Sequence, residues 1–329
     1  MAQYFTERLQ KVFHMIFTSY NQNMAQEGLR QLELIVNNQQ NPSQLKDRAL
    51  RNDKTSRLES DIDTKEDALK IANDSEAREL GDAYALLARV YAGPRFTWEE
   101  SNFPEDNMRT YQCLHDSIRR CSPIGTLQAL RIKGSITPTV EKDMQISFDD
   151  AFRIVYDHAN RGDAYCQYVI GNVFFWRDDN RIDSAEAMLT PPPMSWTKRI
   201  QRSLTANSVR DRIAALQGTV PDEKLQKNAS NLAKEWFNKA LDNGLAMFQG
   251  NLRNIYIDEA DFSNARRVAK TAAELGNPAM MLYTGLDCHE NGKFEDAFTW
   301  FTKGAALGQS ESIAELADYY YHSVSYTHL

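Results

Sequence analysis

From Ala233 to Tyr320, small and large apolar side chains return at fixed intervals with polar residues between them. Three stretches align without gaps: Ala233, Trp236, Ala240 and Gly244; Ala265, Val268, Ala272 and Gly276; Ala297, Trp300, Gly304 and Gly308. Within each stretch the offsets are 3, 7 and 11, and successive copies begin 32 residues apart. These offsets fall on one face of an α-helix. Small side chains there let a neighbouring helix approach closely, and the residue at the second position fills the space beside them. The closing glycine fits a helix C-terminus, where the chain must enter the left-handed region.

A second apolar stripe follows each glycine. Phe248, Leu252, Ile255 and Tyr256 follow Gly244; Met280, Met281, Tyr283 and Leu286 follow Gly276; Ile313, Leu316, Tyr319 and Tyr320 follow Gly308. Each unit is therefore two helices that cannot bury their apolar faces alone, and stacking on the next unit closes the core. The prediction is an all-α fold, an α-solenoid of antiparallel helix pairs. The same grammar occurs earlier with drift, in Ala151, Ile154, His158, Ala159 and Gly162. Gly81-Asp82-Ala83-Tyr84 is identical to Gly162-Asp163-Ala164-Tyr165, and Gly125 precedes Ala129 and Gly134. The irregular spacing of these earlier glycines implies insertions.

The run Phe294-Glu295-Asp296-Ala297-Phe298-Thr299-Trp300-Phe301-Thr302-Lys303-Gly304-Ala305-Ala306-Leu307-Gly308 resembles the second helix of the Sel1-like repeat family, relatives of the tetratricopeptide repeat. The resemblance is strong over 232–322, fair over 148–176 and weak over 65–134. It departs from the family at Leu252-Arg253 and Thr284-Gly285, where a Leu-Gly pair is usual, and in its shorter loops. The resemblance implies a right-handed superhelix whose first helices line a concave surface. On that reading Gln249, Arg253, Tyr283, Asp287, Glu315 and Tyr319 would face a bound peptide or partner domain.

Five segments follow, with a polar stretch lying across the first boundary. Residues 1–60 carry apolar stripes (Phe5, Leu9, Val12, Phe13, Ile16; then Leu29, Leu32, Ile35, Val36) without the repeat grammar and read as a helical N-terminal cap. Residues 38–66 are polar and read as a connection. Residues 61–176 hold degenerate repeats and 231–323 regular ones. Residues 177–230 read as an insertion, with Pro191-Pro192-Pro193 followed by a helix from Trp196 to Gln217 whose Ile200, Leu204, Ile213 and Leu216 recur at helical spacing. Residues 324–329 read as a translated sequencing-adapter end, which would leave the chain cut short near Ser323.

Charge changes this picture in one place. The chain has 38 Lys and Arg against 45 Asp and Glu, a net charge of −7, which disfavours general nucleic-acid or anionic-membrane binding. The insertion is the exception: Lys198, Arg199, Arg202, Arg210 and Arg212 stand against Asp211 alone. Lys198, Arg199 and Arg202 are therefore candidate contacts for an acidic partner, although such a run is more often a solvated face.

Chemistry-bearing motifs are sparse. No glycine-rich phosphate loop, zinc spacing or His-Glu-x-x-His occurs, so no cofactor, metal or catalytic residue is assigned. Cys113, Cys121, Cys166 and Cys288 read as free thiols; on one helix the first two would lie about 12 Å apart. Cys288-His289-Glu290 is a triplet whose side chains diverge on a helix. Asp149-Asp150 and Asp178-Asp179 fit helix starts better than catalysis. Some Sel1-like proteins have been linked to β-lactam binding, and Ser43-Gln44-Leu45-Lys46 and Ser195-Trp196-Thr197-Lys198 match Ser-x-x-Lys, but no companion motif accompanies either. No signal peptide or membrane span is visible. The expectation is a bacterial, cytoplasmic protein–protein interaction scaffold without catalytic activity. The alternatives are a secreted effector, a β-lactam-binding Sel1-like enzyme, or the non-catalytic part of a longer enzyme.

Overall fold

The computed structural model describes residues 3–40, 64–130, 137–189, 196–206, 212–213, 222–247 and 249–326. Among them are seventeen α-helices, three short 3-10 turns and no strand. Helices α1 (Glu7–Phe17) and α2 (Gln22–Gln40) form an N-terminal pair. They are followed by α3 (Lys65–Asn73), α4 (Glu79–Tyr91), α5 (Asn107–Arg119), α6 (Pro123–Ala129) and α7 (Thr137–Lys142). Next come α8 (Phe148–Asn160), α9 (Ala164–Phe175), α10 (Asp183–Leu189), α11 (Trp196–Thr205) and α12 (Asp222–Asp242). The regular array ends with α13 (Gln249–Asp258), α14 (Phe262–Glu274), α15 (Pro278–Glu290), α16 (Phe294–Ala306) and α17 (Ser310–Tyr326).

From α8 onward the repeat grammar becomes stacking. Each helix of the array packs on the next, with α9 lying directly against α12. Ala233, Ala240, Ala272 and Ala297 are 0% exposed, and Trp236 and Val268 are buried beside them. Gly162, Gly244, Gly276 and Gly308 have φ of 95°, 86°, 100° and 87°, which is why a residue without Cβ stands at these turns. Asp163 and Asn277, just after two of these glycines, cap the next helix by accepting from the N–H three residues on.

Two of the earlier glycines behave differently. Gly81 lies inside α4 and Gly125 inside α6, both outside the positive-φ region. A Cβ on Gly81 would come 2.8 Å from the Arg120 carbonyl oxygen, and one on Gly125 1.9 Å from Ser117 Oγ. These glycines serve helix–helix approach. The identical tetrapeptides thus take different local structures: Asp163 is an N-cap, whereas Asp82 sits within a helix.

The Gly171–Phe237 contact explains a departure noted in the sequence. A Cβ on Gly171 would lie 2.6 Å from the Phe237 ring, and one on Gly285 2.5 Å from the Phe301 ring. Thirty-two residues before Gly285 stands Arg253, and thirty-two before Phe301 stands Ala269. Where the first helix carries a large side chain, the helix that follows carries a small one.

The segment boundaries shift on folding. α2 runs to Gln40 and α3 starts at Lys65, so both described ends of the 38–66 connection are helical; residues 41–63 lie outside the described residues. α12 begins at Asp222, inside the 177–230 segment, and that segment leaves the stacking of α9 on α12 unbroken. The helix expected from Trp196 to Gln217 is present over Trp196–Thr205 and at 212–213; 207–211 and 214–221 lie outside the described residues, as do Phe248, Pro191, Pro192 and Pro193. Of the four apolar residues at helical spacing, Leu204 is 76% exposed, Ile200 and Ile213 are exposed too, and Leu216 lies outside the described residues.

The N-terminal pair reaches well past the first repeat. The Tyr4 backbone N–H donates to Asp163 Oδ2 at 2.9 Å. Phe5 and Phe13 pack their rings on Tyr165, at 5.5 and 4.8 Å between centroids. Tyr20 lies beside the Gly276 turn, where Asn277 Nδ2 donates to its hydroxyl at 3.4 Å. Gln22 Nε2 donates to the Glu100 carbonyl at 2.7 Å, and Trp98 Nε1 donates to the Ile16 carbonyl at 2.9 Å. Residues 4–22, with α1 in their middle, are therefore a strap that reaches from the Asp163 turn to the Gly276 turn.

A buried cluster anchors the start of that strap. Arg78 Nε donates to Asp82 Oδ2 at 3.0 Å, Nη1 to the Ala72 carbonyl at 2.9 Å and Nη2 to the Tyr4 carbonyl at 2.6 Å. Its guanidinium lies 4.0 Å from the centre of the Tyr4 ring. Asp82 also accepts from Ser122 Oγ at 2.6 Å and from the Tyr4 hydroxyl at 3.3 Å. The two aspartates of the repeated tetrapeptide thus converge on Tyr4, one through its N–H and one through its O–H.

His158 packs edge-on against the same Tyr4 ring at 5.2 Å, and its Nδ1 is buried without a hydrogen-bond partner. Burial holds its pKa below the ordinary 6.5, and the nearby Arg78 and Arg161 act in the same direction against Asp163 and Asp157. The unfolded imidazole therefore takes a proton first as pH falls. Stability from this group is intact above 6.5 and is lost as pH drops from there toward the lower folded value. Acidification from about pH 7 to about pH 5.5 is expected to lower the denaturation midpoint of the wild type more than that of His158→Phe. Equal shifts of the urea midpoint in the wild type and in His158→Phe between the two pH values would count against this assignment.

Candidate partner-binding cleft

The inner face of α9 carries Tyr165, Tyr168, Asn172 and Trp176 at intervals that place them in one row. The strap covers the first of these. The rest of the row lines an open cleft of about 400 Å³, whose opposite walls come from α4, α5 and α6 and whose end touches Asn251 of α13. A volume of that size accepts a large side chain or a small ligand. Leu114, Leu127, Val169 and Val173 make its walls apolar.

The mouth exposes aromatic surface. Phe96, Tyr111 and Trp176 are 41%, 40% and 55% exposed, and all three line the cleft. Phe96 is held there by a 3-10 turn, Pro94–Phe96, entered through Gly93 at a φ of 90°. Arg89 also lines the cleft, where Nε donates to the Phe96 carbonyl and Nη2 to the Tyr168 hydroxyl, both at 3.3 Å. Glu105 and Asp178 bring carboxylates to the lining, and Glu105 is exposed. Beside them the Gln128 side-chain nitrogen is buried without a partner.

The residues assigned to the concave surface lie on alternate helices, α13, α15 and α17, and most are engaged within the fold. The Arg253 guanidinium stacks 3.9 Å from the centre of the Tyr283 ring, joining α13 to α15. Arg266 Nε meets Asp287 Oδ1 at 2.6 Å. The Tyr319 hydroxyl and His289 Nδ1 are 2.7 Å apart, and Glu315 stands half-buried one turn before Tyr319. Gln249 is 2% exposed and donates to the Leu245 carbonyl at 2.7 Å, so it faces the core and offers nothing to a partner. The cleft itself was missed in the sequence. Its walls come from segments far apart in the chain, and only the run of large residues on α9 signalled it.

In the basic segment, Lys198 and Arg212 are exposed and Arg199 is half-buried. The Arg202 side chain, Arg210 and Asp211 lie outside the described residues, as do Ser43 and Ser195 of the two Ser-x-x-Lys matches.

The other residues that the sequence singles out for chemistry are placed as follows. Cys113, Cys121 and Cys166 are buried free thiols and Cys288 is a half-buried one. Burial pushes Cys113 and Cys121 up to about 12, away from reactive thiolate. Asp150 and Ser147 form a reciprocal pair at the start of α8, Asp149 accepts from the Ser184 N–H at 2.8 Å, and Asp179 pairs with Arg177 at 3.0 Å. Among the described residues no group of three or more His, Cys, Asp or Glu could hold a metal ion, and no helix is long and apolar enough to cross a membrane.

Neither a scan against protein-family models nor a search of curated proteins finds a match for this chain.

Proposed function

We propose that the chain is a non-catalytic, protein-binding scaffold built as a right-handed solenoid of Sel1-like repeats, which captures a segment of a partner on its inner surface. The observation that carries this reading is the aromatic mouth of the cleft. Three large rings are held partly in water at one opening, next to apolar walls, in a fold that buries most of its other aromatics. Aromatic anchors around a concave apolar site are the commonest source of binding energy at protein interfaces. Asn251 of α13 lines the same cleft, and Arg253 of that helix stacks on Tyr283, a pair that would extend the contact along the array. A cytoplasmic setting fits the free thiols.

Panning the immobilised full chain against a displayed library of random short peptides tests this reading. Enrichment of particular sequences is expected, with loss of that enrichment in Trp176→Ala and weakening in an Arg253→Ala/Asp287→Ala double variant of unchanged helical content. The scaffold reading fails if Trp176→Ala enriches the same peptides as the wild type.

A further inference from the structure

We infer that one face of α17 pairs with the same face of a second copy of this chain, in an antiparallel two-fold contact centred on Ala317. Ser310, Ile313, Ala314, Ala317, Tyr320 and Tyr321 recur at intervals of three and four, so they share one side of the helix, and all six are exposed. The array shows what such a side is for. Met281 and Gly285 of α15 stand thirty-two residues before Ile313 and Ala317. Both are buried against α16: Met281 is 7% exposed and lies against Gly304, and Gly285 meets the Phe301 ring. Among the described elements only α16 packs extensively on α17, and it takes another side of it, where Ser312 meets Gly304. Ile313 is left 49% exposed, and Tyr320, although it leans on the Phe298 ring, keeps 56% of its surface in water. The stripe thus continues the stacking interface of the array without a helix on it.

Charge and size favour a second copy as the occupant. The carboxylates of α17, Glu311, Glu315 and Asp318, recur at intervals of four and three on a different side, so the stripe itself is uncharged. A charged partner face would find nothing to pair with there, whereas a copy of the stripe brings neither an unpaired charge nor a repulsion into the contact. Ala317 is small and central. Turning one helix about it lets the two backbones approach and sets Ile313 of each copy toward Tyr320 and Tyr321 of the other. From Ser310 to Tyr321 the stripe is about 17 Å long, short for the roughly 800 Å² per partner of a standard interface, so the pair is weak and depends on concentration. Each copy carries −7, which opposes encounter at long range until salt screens it.

Sedimentation equilibrium on the full chain, from about 1 to about 200 µM, is expected to show monomer and dimer in exchange. The dimer should be tighter at about 300 than at about 50 mM salt, the reverse of a contact made by opposite charges. Ala317→Glu, which sets two carboxylates opposite each other on the axis, is expected to weaken it by more than about tenfold at unchanged helical content. With oxidised glutathione as oxidant, Ala317→Cys should form a disulfide-linked dimer and Asp318→Cys, on the charged side, should not. A wild type that stays monomeric throughout, a dimer indifferent to Ala317→Glu, or equal cross-linking through both cysteines would overturn the proposal. So would a monomeric chain that binds a synthetic peptide of Phe294–Gly308, since that would give the stripe to a helix of another origin. The cleft is walled by α4, α5, α6 and α9, so this outcome and that of the peptide panning are independent.

Discussion

Replacing Arg78 with alanine is expected to destabilise the protein by about 3–5 kcal/mol, the largest loss from any single polar side chain in the fold. The Arg78 side chain has no solvent exposure, and its Asp82 partner is 1% exposed. Deleting the guanidinium leaves the Asp82 carboxylate charged and surrounded by protein, and it strips donors from the Ala72 and Tyr4 carbonyls. The Tyr4 ring also loses the cation beneath it. An isolated buried charge cannot be rehydrated without opening the structure, so the cost exceeds the net worth of the pair.

The pH dependence of that loss has a fixed sign. Burial already raises the Asp82 pKa above its ordinary 3.8, opposed by Arg78 and by the Ser122 and Tyr4 hydrogen bonds. Without Arg78 it rises further. A carboxylate whose folded pKa lies above its unfolded one is protonated first in the folded state, so falling pH relieves the strain. The deficit of Arg78→Ala should therefore shrink on acidification, while Arg78→Ala/Asp82→Ala, which removes both charges, should show no such relief. Urea denaturation gives the midpoints, and hydrogen exchange over residues 4–22 reads whether the strap detaches. A loss below about 1 kcal/mol would show that the pair is an ordinary surface-like contact.

The second large effect belongs to the glycine that meets an aromatic ring. Gly285→Ala places a methyl group where the Phe301 ring lies 2.5 Å away, and Phe301 is 0% exposed, so the ring has nowhere to move. Overpacking of this kind costs about 1–3 kcal/mol, in spite of the better helix propensity of alanine. Phe301→Ala alone leaves a cavity and costs about 3–5 kcal/mol. Together the substitutions should cost less than their sum by more than about 1 kcal/mol, because the added methyl enters the space the ring vacates. The corresponding positions of the neighbouring unit hold Arg253 and Ala269. Additive losses in the double-mutant cycle would show that the two residues do not share one volume. Since repeat arrays can unfold unit by unit, hydrogen exchange within α15 and α16 is the more local readout.

The turns at Gly244, Gly276 and Gly308 were legible because their cause is local. A helix that must end and reverse needs left-handed backbone, and glycine adopts it with the least strain. The buried alanines were legible for a similar reason, since a helical period of apolar and small residues leaves one face to bury. Gly81 and Gly125 misled because glycine serves two purposes. It allows positive φ, and it allows close approach; which one applies depends on the neighbour, here Arg120 and Ser117. Gln249 fits the inner row by its spacing, but packing leaves it 2% exposed with its side-chain amide donating to the Leu245 carbonyl.

The sequence alone determined the all-helical class, the paired-helix unit and the small residues at its joints, because each depends on contacts within or between adjacent helices. Only the tertiary structure decided that residues 4–22 run as a strap from the Asp163 turn to the Gly276 turn, that Arg78 is locked between Tyr4 and Asp82, and that α4, α5, α6 and α9 leave a cleft with an aromatic mouth. Those features join residues from separate parts of the chain. No local period records such a meeting, since what selects it is shape and charge across a fold that has already formed.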